Sequence, residues 1–176
     1  MRRGGGTKDD RVKVLGVVGW SGSGKTTLIE RVLPLLRASG ISVSTVKHAH
    51  HGFDMDRPGK DSHRHRMAGA EETLVVSGTR WALLHEAQGP APPLTALLDR
   101  LAPVDLVLVE GFKTYPFAKL EVHRPALGKP EIWPEERRIV ALAANAPLPA
   151  APGRPALLPL DDPEAVALWV LARIGA

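Results

Sequence analysis

The stretch GWSGSGKTTL, from Gly19 to Leu28, constrains the possible folds of this chain more than any other part of the sequence. It follows directly on the apolar run VKVLGVVG, which is typical of a buried strand, and it leads into KTTLIERVLPLLRASG, whose apolar residues have helical spacing. Residues 19–26 spell G-x-x-x-x-G-K-T, a pattern in which glycines let backbone N–H groups converge on phosphate oxygens at the start of a helix. The stretch therefore predicts a strand, a phosphate-binding loop and a helix.

The polar residues of this loop have defined expected roles, and together they indicate a nucleoside triphosphate site of the Walker A type. We expect Lys25 to reach the β- and γ-phosphates, Thr26 to place its hydroxyl on a magnesium ion, and Thr27 to contact an inner phosphate. An ordinary Gly-Ser turn would explain neither the lysine nor its spacing from Gly19. The predicted nucleotide-binding residues of the loop are Gly22, Ser23, Gly24, Lys25, Thr26 and Thr27.

A phosphate loop of this kind also needs an acidic residue near the metal, at the carboxyl end of a neighbouring buried strand. The apolar run VDLVLVEG is typical of a strand buried on both faces, and Glu110 stands at its end. We interpret Glu110, together with Lys25, as catalytic, because its carboxylate can hold Mg²⁺ through water or orient the attacking water. The alternative is a solvated glutamate at a strand end, an interpretation that we prefer for Asp105 at the other end of the run.

Strands alternate with helices along the sequence, an order that predicts an α/β fold of the P-loop NTPase class with a doubly wound, mostly parallel sheet. Two apolar runs joined at Ser77-Gly78 predict an added antiparallel hairpin, and AKLEVHR and RRIVALAA predict further strands. Pro34 lies inside the first predicted helix, where it should kink the helix or remove a backbone hydrogen bond. The Pro-rich residues 146–159 are expected to form a surface connection, followed by an amphipathic helix capped by Asp161 or Asp162.

The composition is that of an ordinary globular domain. The chain has 176 residues, 44% of them hydrophobic, so residues 12–176 are expected to form one domain after a flexible Gly-rich arm of residues 1–11. We expect a cytoplasmic protein, because there is no cysteine and we recognise neither a signal peptide nor a membrane span. A net charge of +4 fits an anionic ligand, and one Tyr and three Phe leave few base-stacking groups, so no nucleic-acid partner is expected.

Histidines and cations are concentrated in one segment after the second predicted strand. Five of the seven histidines fall between residues 48 and 65, together with several Lys and Arg side chains. Neighbouring cations oppose a divalent metal ion, so we favour an anion-binding surface for a phosphorylated substrate over a zinc site, with a solvated charged face as the remaining alternative. Asp54 or Asp56 also has the chemistry for a water-mediated contact to magnesium. The predicted substrate-binding residues are His48, His51, Asp54, Arg64 and Arg66.

Four segments, taken in order, resemble the molybdopterin-guanine dinucleotide biosynthesis protein B family, often called MobB: GWSGSGKTTL, VKHAHHGFDMDRPGKDSHRHRMAGA, LVVSGTRWALLHE and LVEGFK…KLEVHR. The resemblance covers about residues 12–145, and it makes residues 22–27 the family's phosphate loop and Glu110 its acidic position. It implies a GTP-binding protein with weak GTPase activity, homodimeric and similar to the dimeric P-loop GTPases of the signal-recognition and MinD type. It also implies two further partners, molybdopterin and the molybdenum cofactor guanylyltransferase that joins GMP to it.

The residue that contacts the guanine base is not marked by a familiar motif. The NKxD element with which Ras-like GTPases bind guanine is absent from the sequence. Asn145 ends the predicted strand ALAAN, and we predict that its side-chain amide contacts the base; the alternative is a simple turn residue.

Two other functions remain open from the sequence. A small-molecule kinase would use the same loop to transfer a phosphoryl group to a substrate held by the basic segment, with residues 57–66 as a mobile lid. A metal-insertion chaperone would use GTP to deliver nickel or a similar ion held by His48, His50 and His51. The products of incubation with nucleotide separate the kinase from the GTPase, and metal analysis after dialysis identifies the chaperone.

Overall fold

The computed structural model describes residues 12–49 and 55–176, and these residues form two compact units. The first unit combines residues 12–48 with residues 103–176, and the second consists of the described residues from 49 to 102. None of the helices in the described ranges is long and apolar enough to cross a membrane.

Within the described residues the chain forms eight strands and four α-helices. The strands are β1 (Lys13–Val18), β2 (Val43–Lys47), β3 (Glu72–Val76), β4 (Trp81–His85), β5 (Leu106–Glu110), β6 (Lys119–His123), β7 (Ile139–Ala144) and β8 (Ala156–Pro159). The helices are α1 (Lys25–Ala38), α2 (Asp61–Met67), α3 (Leu94–Leu98) and α4 (Pro163–Ile174), and a 3₁₀ turn spans Pro125–Leu127. In the first unit six strands form one sheet in the order β2-β5-β1-β6-β7-β8, and each neighbouring pair is parallel. The predicted α/β fold with a mostly parallel sheet is therefore confirmed.

Strands β1 and β5 are adjacent in the interior of this sheet, because their apolar runs can be buried on both faces. In their parallel register Leu15 pairs with Leu108, and Val17 pairs with Glu110. Parallel neighbours end at the same edge of a sheet, so the loop that follows β1 and the carboxylate that ends β5 start from adjacent positions. This edge carries the candidate site.

Helix α1 packs on the sheet through the apolar face that its residue spacing predicts. Its buried residues, which join the strands and α4 in one core, are Leu28, Ile29, Val32 and Leu36. Pro34 removes one N–H donor, yet the helix continues to Ala38. The chain then turns at Gly40, whose φ of 83° is left-handed and whose N–H donates to the carbonyl oxygen of Arg37 at 3.0 Å.

The prediction for residues 146–159 is wrong at its end, where the structure has the edge strand β8 instead of a surface connection. Strand β8 pairs with β7, and Leu157 lies opposite Leu142. Its side chains are mostly exposed and it ends in a proline, which an edge strand tolerates, so no buried apolar run marks it in the sequence. Helix α4 begins as predicted, because Asp162 Oδ1 accepts a hydrogen bond from the N–H of Ala165 at 3.0 Å.

The second unit contains the predicted hairpin as a separate two-stranded antiparallel sheet of β3 and β4. Its turn is closed by the N–H of Ser77, which donates to the carbonyl oxygen of Arg80 at 2.7 Å. Helix α2 lies in the segment rich in His and Arg, and α3 follows the hairpin. One face of the hairpin carries the exposed apolar side chains Leu74, Val76, Trp81 and Leu83.

Two leucines offer a matched test of where the core lies. Leu36 on α1 is 0% exposed, whereas Leu168 on α4 is 66% exposed. We expect Leu36→Ala to lower the free energy of unfolding by about 2–5 kcal/mol, because it leaves a cavity in the core. Leu168→Ala should change that free energy by about 0.5 kcal/mol or less. Urea denaturation followed by circular dichroism measures both values, and equal losses would contradict the burial of Leu36.

Candidate phosphate-binding site

The loop between β1 and α1 takes a path that glycine adopts easily and other residues do not. Gly19 has a φ of 154° and Gly24 a φ of 96°. A Cβ on Gly19 would lie 2.4 Å from the carbonyl oxygen of Val122 and 2.6 Å from Ser23 Oγ, so there is no room for a side chain. A Cβ on Gly24 would lie 3.2 Å from the guanidinium group of Arg124. These two glycines therefore let the loop approach the end of β6 closely.

Lys25 is the first residue of α1, and its ammonium group folds back onto the loop. Its Nζ donates hydrogen bonds to the carbonyl oxygens of Gly19 at 3.1 Å and Trp20 at 3.0 Å. The amino-terminal end of a helix also carries unsatisfied N–H groups and a partial positive charge. The lysine and the helix thus place positive charge at the same end of α1, an arrangement suited to a phosphate group.

Several charged side chains act on Lys25. Burial lowers the pKa of Lys25 below its ordinary value of 10.5. The Glu110 carboxylate opposes this lowering of the pKa, whereas the positive charges of Lys113 and Lys47 add to it. Of these four interacting side chains three are cations, so an anion bound among them would relieve their mutual repulsion.

Glu110 lies beside the loop at the end of β5. Its Oε1 accepts a hydrogen bond from Thr26 Oγ1 at 3.0 Å, and its Oε2 lies 3.8 Å from Lys47 Nζ. A hydroxyl and a carboxylate this close are the oxygen ligands that Mg²⁺ prefers, completed by phosphate oxygens and water. The two residues that the sequence assigns to magnesium are thus adjacent, and their chemistry fits the ion. Asp105, at the other end of β5, instead accepts hydrogen bonds from the N–H and the hydroxyl of Ser42.

Ser23 and Arg124 form a second contact between the loop and β6. The carbonyl oxygen of Ser23 accepts a hydrogen bond from Arg124 Nε at 2.9 Å. Ser23 is 1% exposed, and its hydroxyl has no hydrogen-bond partner within the described residues. Such a hydroxyl is costly to bury, and an oxygen anion entering the loop would supply an acceptor. Arg124 is absent from the predicted site residues; the signal that marks it is a cation directly after a strand that ends at this edge.

The connection after β5 has an unusual backbone conformation that an aromatic contact supports. Phe112 has a φ of 52°, the only positive φ of a non-glycine residue among those described. This conformation costs about 1–2 kcal/mol for a residue with a Cβ. The His48 ring stacks on the Phe112 ring at a centroid distance of 4.4 Å, and the N–H of His48 donates to the carbonyl oxygen of Glu110 at 2.9 Å. His48 therefore braces this connection, while its predicted contact with substrate stays a prediction.

Of three other predicted ligand-binding residues, the structure describes Asn145 but not His51 or Asp54. Asn145 follows directly on β7 and is exposed at the sheet edge to which the loop belongs, with β6 between β7 and β1. Its contact with a base stays a prediction. The predicted substrate-binding residues His51 and Asp54 lie outside the described residues, as do His50 and the predicted arm of residues 1–11.

Arg64 and Arg66 belong to helix α2 of the second unit, where both have carboxylate partners. Arg66 Nη2 lies 2.9 Å from Asp56 Oδ1, and Arg66 Nη1 lies 3.5 Å from Glu86 Oε1. Arg64 Nη1 lies 3.8 Å from Asp61 Oδ1, and the Arg64 side chain remains exposed. Arg66 and Asp56 form a mostly buried pair, so Arg64 is the more accessible of the two cations. In the parts of the chain that the structure describes, no group of three or more His, Cys, Asp or Glu side chains is arranged to hold a metal ion.

A segment between β6 and β7 connects the phosphate loop to a buried carboxylate. Trp20 Nε1 donates a hydrogen bond to the carbonyl oxygen of Pro130 at 2.8 Å. The Glu121 carboxylate accepts hydrogen bonds from the N–H groups of Ile132 at 2.8 Å and Trp133 at 3.0 Å. Burial raises the pKa of Glu121 above its ordinary value of 4.5, although these two hydrogen bonds oppose the shift. The segment is thus bonded both to the loop and to the interior of the sheet.

The sheet order, the loop between β1 and α1 and the carboxylate at the end of β5 define an α/β protein of the P-loop NTPase-like class. Residues 14–145 match the family described as MobB: Molybdopterin guanine dinucleotide synthesis protein B, and the chain belongs to this family. The resemblance inferred from the sequence is therefore confirmed.

Relatives and solved structures with this name cover most of the chain. The chain is 40% identical over 164 residues to the molybdopterin-guanine dinucleotide biosynthesis adapter protein of Escherichia coli K12, across 91% of this chain and 92% of that protein. It is 42% identical over 143 residues to the adapter protein of Haemophilus influenzae Rd, across 80% of this chain and 79% of that protein. Its fold is similar to a crystal structure of molybdopterin-guanine biosynthesis protein B, with a TM-score of 0.72, 27% identity, and 93% of this chain and 99% of that chain covered. It is also similar to Bacillus subtilis MobB, with a TM-score of 0.70, 29% identity, and 90% and 96% covered.

Gly19 and Gly40 allow a matched test of the loop geometry. Their φ values are 154° and 83°, but a Cβ on Gly40 would meet nothing within 4 Å. We expect Gly40→Ala to lower the free energy of unfolding by about 1–2 kcal/mol through backbone strain. Gly19→Ala should lower it by about 1–3 kcal/mol more, because its Cβ collides with Val122 and Ser23. Urea denaturation measures the difference, and a loss for Gly19→Ala no larger than that for Gly40→Ala would argue against the close approach to β6.

The raised pKa of Glu121 predicts a pH-dependent contribution to stability. As the pH rises above 4.5, the unfolded chain releases this proton before the folded chain does, so the folded state loses stability. Glu121→Gln does not titrate. The free energy of unfolding of the wild type, relative to that of Glu121→Gln, should therefore fall as the pH rises from 4.5 through the folded pKa. Guanidinium denaturation of both proteins between about pH 4 and pH 8 measures this difference; a constant difference, or one that grows with pH in favour of the wild type, would refute the raised pKa.

Proposed function

We propose that this protein binds GTP with Mg²⁺, hydrolyses it slowly and assists the assembly of molybdopterin guanine dinucleotide. The observation that carries the proposal is the contact between Thr26 and Glu110, whose hydroxyl and carboxylate oxygens are 3.0 Å apart beside the phosphate loop. The pathway is supported by the family and by the relatives from E. coli and H. influenzae, which are named molybdopterin-guanine dinucleotide biosynthesis adapter proteins.

The proposed binding mode assigns the phosphates to the loop and to the start of α1. The backbone N–H groups of residues 22–27 donate to phosphate oxygens, with the hydroxyl of Thr27 on an inner phosphate. Lys25 exchanges its two carbonyl contacts for the β- and γ-phosphates. The hydroxyl of Ser23, which lacks a partner within the described residues, gains an acceptor. The loop thereby satisfies polar groups that it otherwise leaves unsatisfied or weakly paired.

Hydrolysis in this proposal depends on Thr26, Glu110 and Lys25. Thr26 and Glu110 would hold the magnesium ion, which would supply positive charge to offset that of the phosphates. Glu110 also orients the water that attacks the γ-phosphate in line. Lys25 and the loop amides stabilise the negative charge that develops on the phosphoryl oxygens. Each residue therefore binds, orients or stabilises charge.

Guanine and a phosphorylated substrate are the two further ligands of the proposal. The side-chain amide of Asn145 has the donor and the acceptor needed to contact a base edge, and it follows β7 at the edge that carries the loop. Imidazole and guanidinium groups bind phosphate, and the segment rich in His and Arg supplies them for molybdopterin. The proposed substrate-binding residues are His48, His51, Asp54, Arg64 and Arg66.

The proposed partners are a second copy of the chain and the molybdenum cofactor guanylyltransferase. The exposed apolar face of β3 and β4 supports a contact with another protein surface. The pathway named for the relatives supports the guanylyltransferase as the enzyme that is assisted. A GTP-dependent role in biosynthesis also favours the cytoplasm as the location, and the proposal includes neither a nucleic acid nor a membrane.

Isothermal titration calorimetry with GTP and Mg²⁺ tests the proposal at Lys25. We expect Lys25→Ala to weaken GTP binding by about 100-fold, because it removes the charge-assisted hydrogen bonds to the β- and γ-phosphates. Arg173→Ala is the matched control, since it removes one positive charge from the exposed end of α4 and should leave GTP affinity unchanged.

Unchanged GTP affinity in Lys25→Ala would overturn the nucleotide site.

Competition between GTP and ATP tests the choice of base. Slow release of inorganic phosphate supports a GTPase, whereas stoichiometric phosphorylation of a small acceptor would identify a kinase. A transition metal retained in stoichiometric amount after dialysis, and lost when His48 is replaced, would identify a metal chaperone.

A further inference from the structure

Lys113 places a second ammonium group against the phosphate loop. Its Nζ lies 4.6 Å from the centroid of the Trp20 ring. The carbonyl oxygen of the same Trp20 accepts a hydrogen bond from Lys25 Nζ at 3.0 Å. Lys113 and Lys25 therefore contact the same residue of the loop, Lys113 at its side chain and Lys25 at its backbone, although they come from different elements of the fold.

The backbone that leads to Lys113 is held in place from three directions. The N–H of Gly111 donates to the carbonyl oxygen of Val17 at 3.1 Å, which ties the turn to β1. The Phe112 ring stacks on His48 at 4.4 Å and meets the edge of the Tyr115 ring at 5.1 Å. A left-handed phenylalanine persists only where its surroundings over-determine it, and such strain is found where a site needs a particular geometry. The turn therefore determines where the side chain of Lys113 leaves the backbone.

The contact of Lys113 with Trp20 is one that a phosphate can displace. An exposed ammonium group gains little from a neutral ring, whereas a charge-assisted hydrogen bond to a phosphate oxygen is stronger. Lys113 also repels Lys25, since its charge contributes to the lowered pKa of Lys25. A polyanion between these two cations would remove that repulsion and attract both.

The position of Lys113 in the chain indicates which phosphate it meets. Lys113 follows Glu110 on the connection from β5, and Glu110 with Thr26 would hold the proposed magnesium ion, which would offset charge on the phosphates. Lys25 begins the helix that follows the loop, and in the proposed binding mode it serves any nucleotide that carries a β-phosphate. Lys113 extends from the connection after the strand that carries Glu110, and in the proposed binding mode this is the side of the terminal phosphate.

We propose that Lys113 is a second polyphosphate-binding residue. Its ammonium group moves away from the Trp20 ring and binds the terminal phosphate of a nucleoside triphosphate. The inference rests on the proposed function and adds to it a residue that distinguishes a triphosphate from a diphosphate. Because the ammonium group leaves the indole, the fluorescence of Trp20 should differ between the two nucleotide complexes.

Calorimetric titration of the full chain with GTP and with GDP, both with Mg²⁺, tests this assignment. Lys113→Ala should weaken GTP binding about tenfold and GDP binding by less, because it removes one charge-assisted hydrogen bond to the terminal phosphate. Lys113→Arg keeps the charge and should recover most of the lost affinity. Lys129→Ala is the matched control: it removes another ammonium group, 5.8 Å from the centroid of the Trp20 ring, and should leave the preference for GTP over GDP unchanged.

The outcomes separate this inference from the proposed function. If the wild type binds GTP and Lys113→Ala keeps the same preference for GTP over GDP, the role of Lys113 is refuted and the GTP site stands. Equal effects of Lys113→Ala and Lys129→Ala would also refute it, because they would indicate a general loss of positive charge. Absence of GTP binding by the wild type would refute the proposed function itself. Trp20→Phe should abolish the difference in tryptophan emission between the GTP and GDP complexes, and a persisting difference would count against the displacement of Lys113 from Trp20.

Discussion

The parallel pairing of β1 with β5 is the constraint on which the rest of this structure depends. It places Val17 opposite Glu110, so that a loop and a carboxylate separated by 84 positions in the chain meet at hydrogen-bond distance. Both strands are buried on both faces, and their apolar composition is what keeps them in the interior of the sheet. A shift of this register by one residue would turn the Glu110 side chain to the opposite face of the sheet. The register of these two strands therefore determines both the packing of the core and the geometry of the site.

Around the loop, the edge of the sheet contains three features that lower the stability of the folded state, and core packing compensates for them. Ser23 buries a hydroxyl without a partner among the described residues, and Lys25 is an ammonium group made less basic chiefly by burial. Phe112 adds a strained backbone. Unpaired polar groups, buried charges and strained backbones are usually found where a protein binds or reacts, because a ligand can supply the missing hydrogen bonds and the opposite charge. That all three departures lie on one edge supports a single site there.

Much of the fold and part of the site could be predicted from the sequence, because they depend on local spacing. A short stretch of sequence is enough to recognise each of three features: the glycine loop, the apolar run that ends in Glu110, and the hairpin. Contacts between strand ends could not be predicted in this way. The hydrogen bond from Arg124 to the loop and the stacking of His48 on Phe112 join parts of the chain that only the sheet order brings together. Strand β8 carries no burial signal because it is an exposed edge.

The sequence pattern of β6 does not reveal that both faces of this strand are buried. Its alternating residues KLEVH are typical of a strand with one solvated face, yet all five residues are buried. The polar face is covered by the segment that follows it. Lys119 Nζ lies 3.4 Å from Glu136 Oε2 and donates to the carbonyl oxygen of Tyr115 at 2.6 Å, while Glu121 is held by backbone N–H groups of the same segment.

The cover over β6 is an irregular segment instead of a helix, and this has a consequence for local opening. If the segment lifts, water reaches Lys119 and Glu121 together, so the opening is favoured by hydration of two buried ionisable groups as well as by chain entropy. The same segment is bonded to Trp20 through Pro130. A ligand that immobilises Trp20 would therefore also restrain the cover over Lys119 and Glu121.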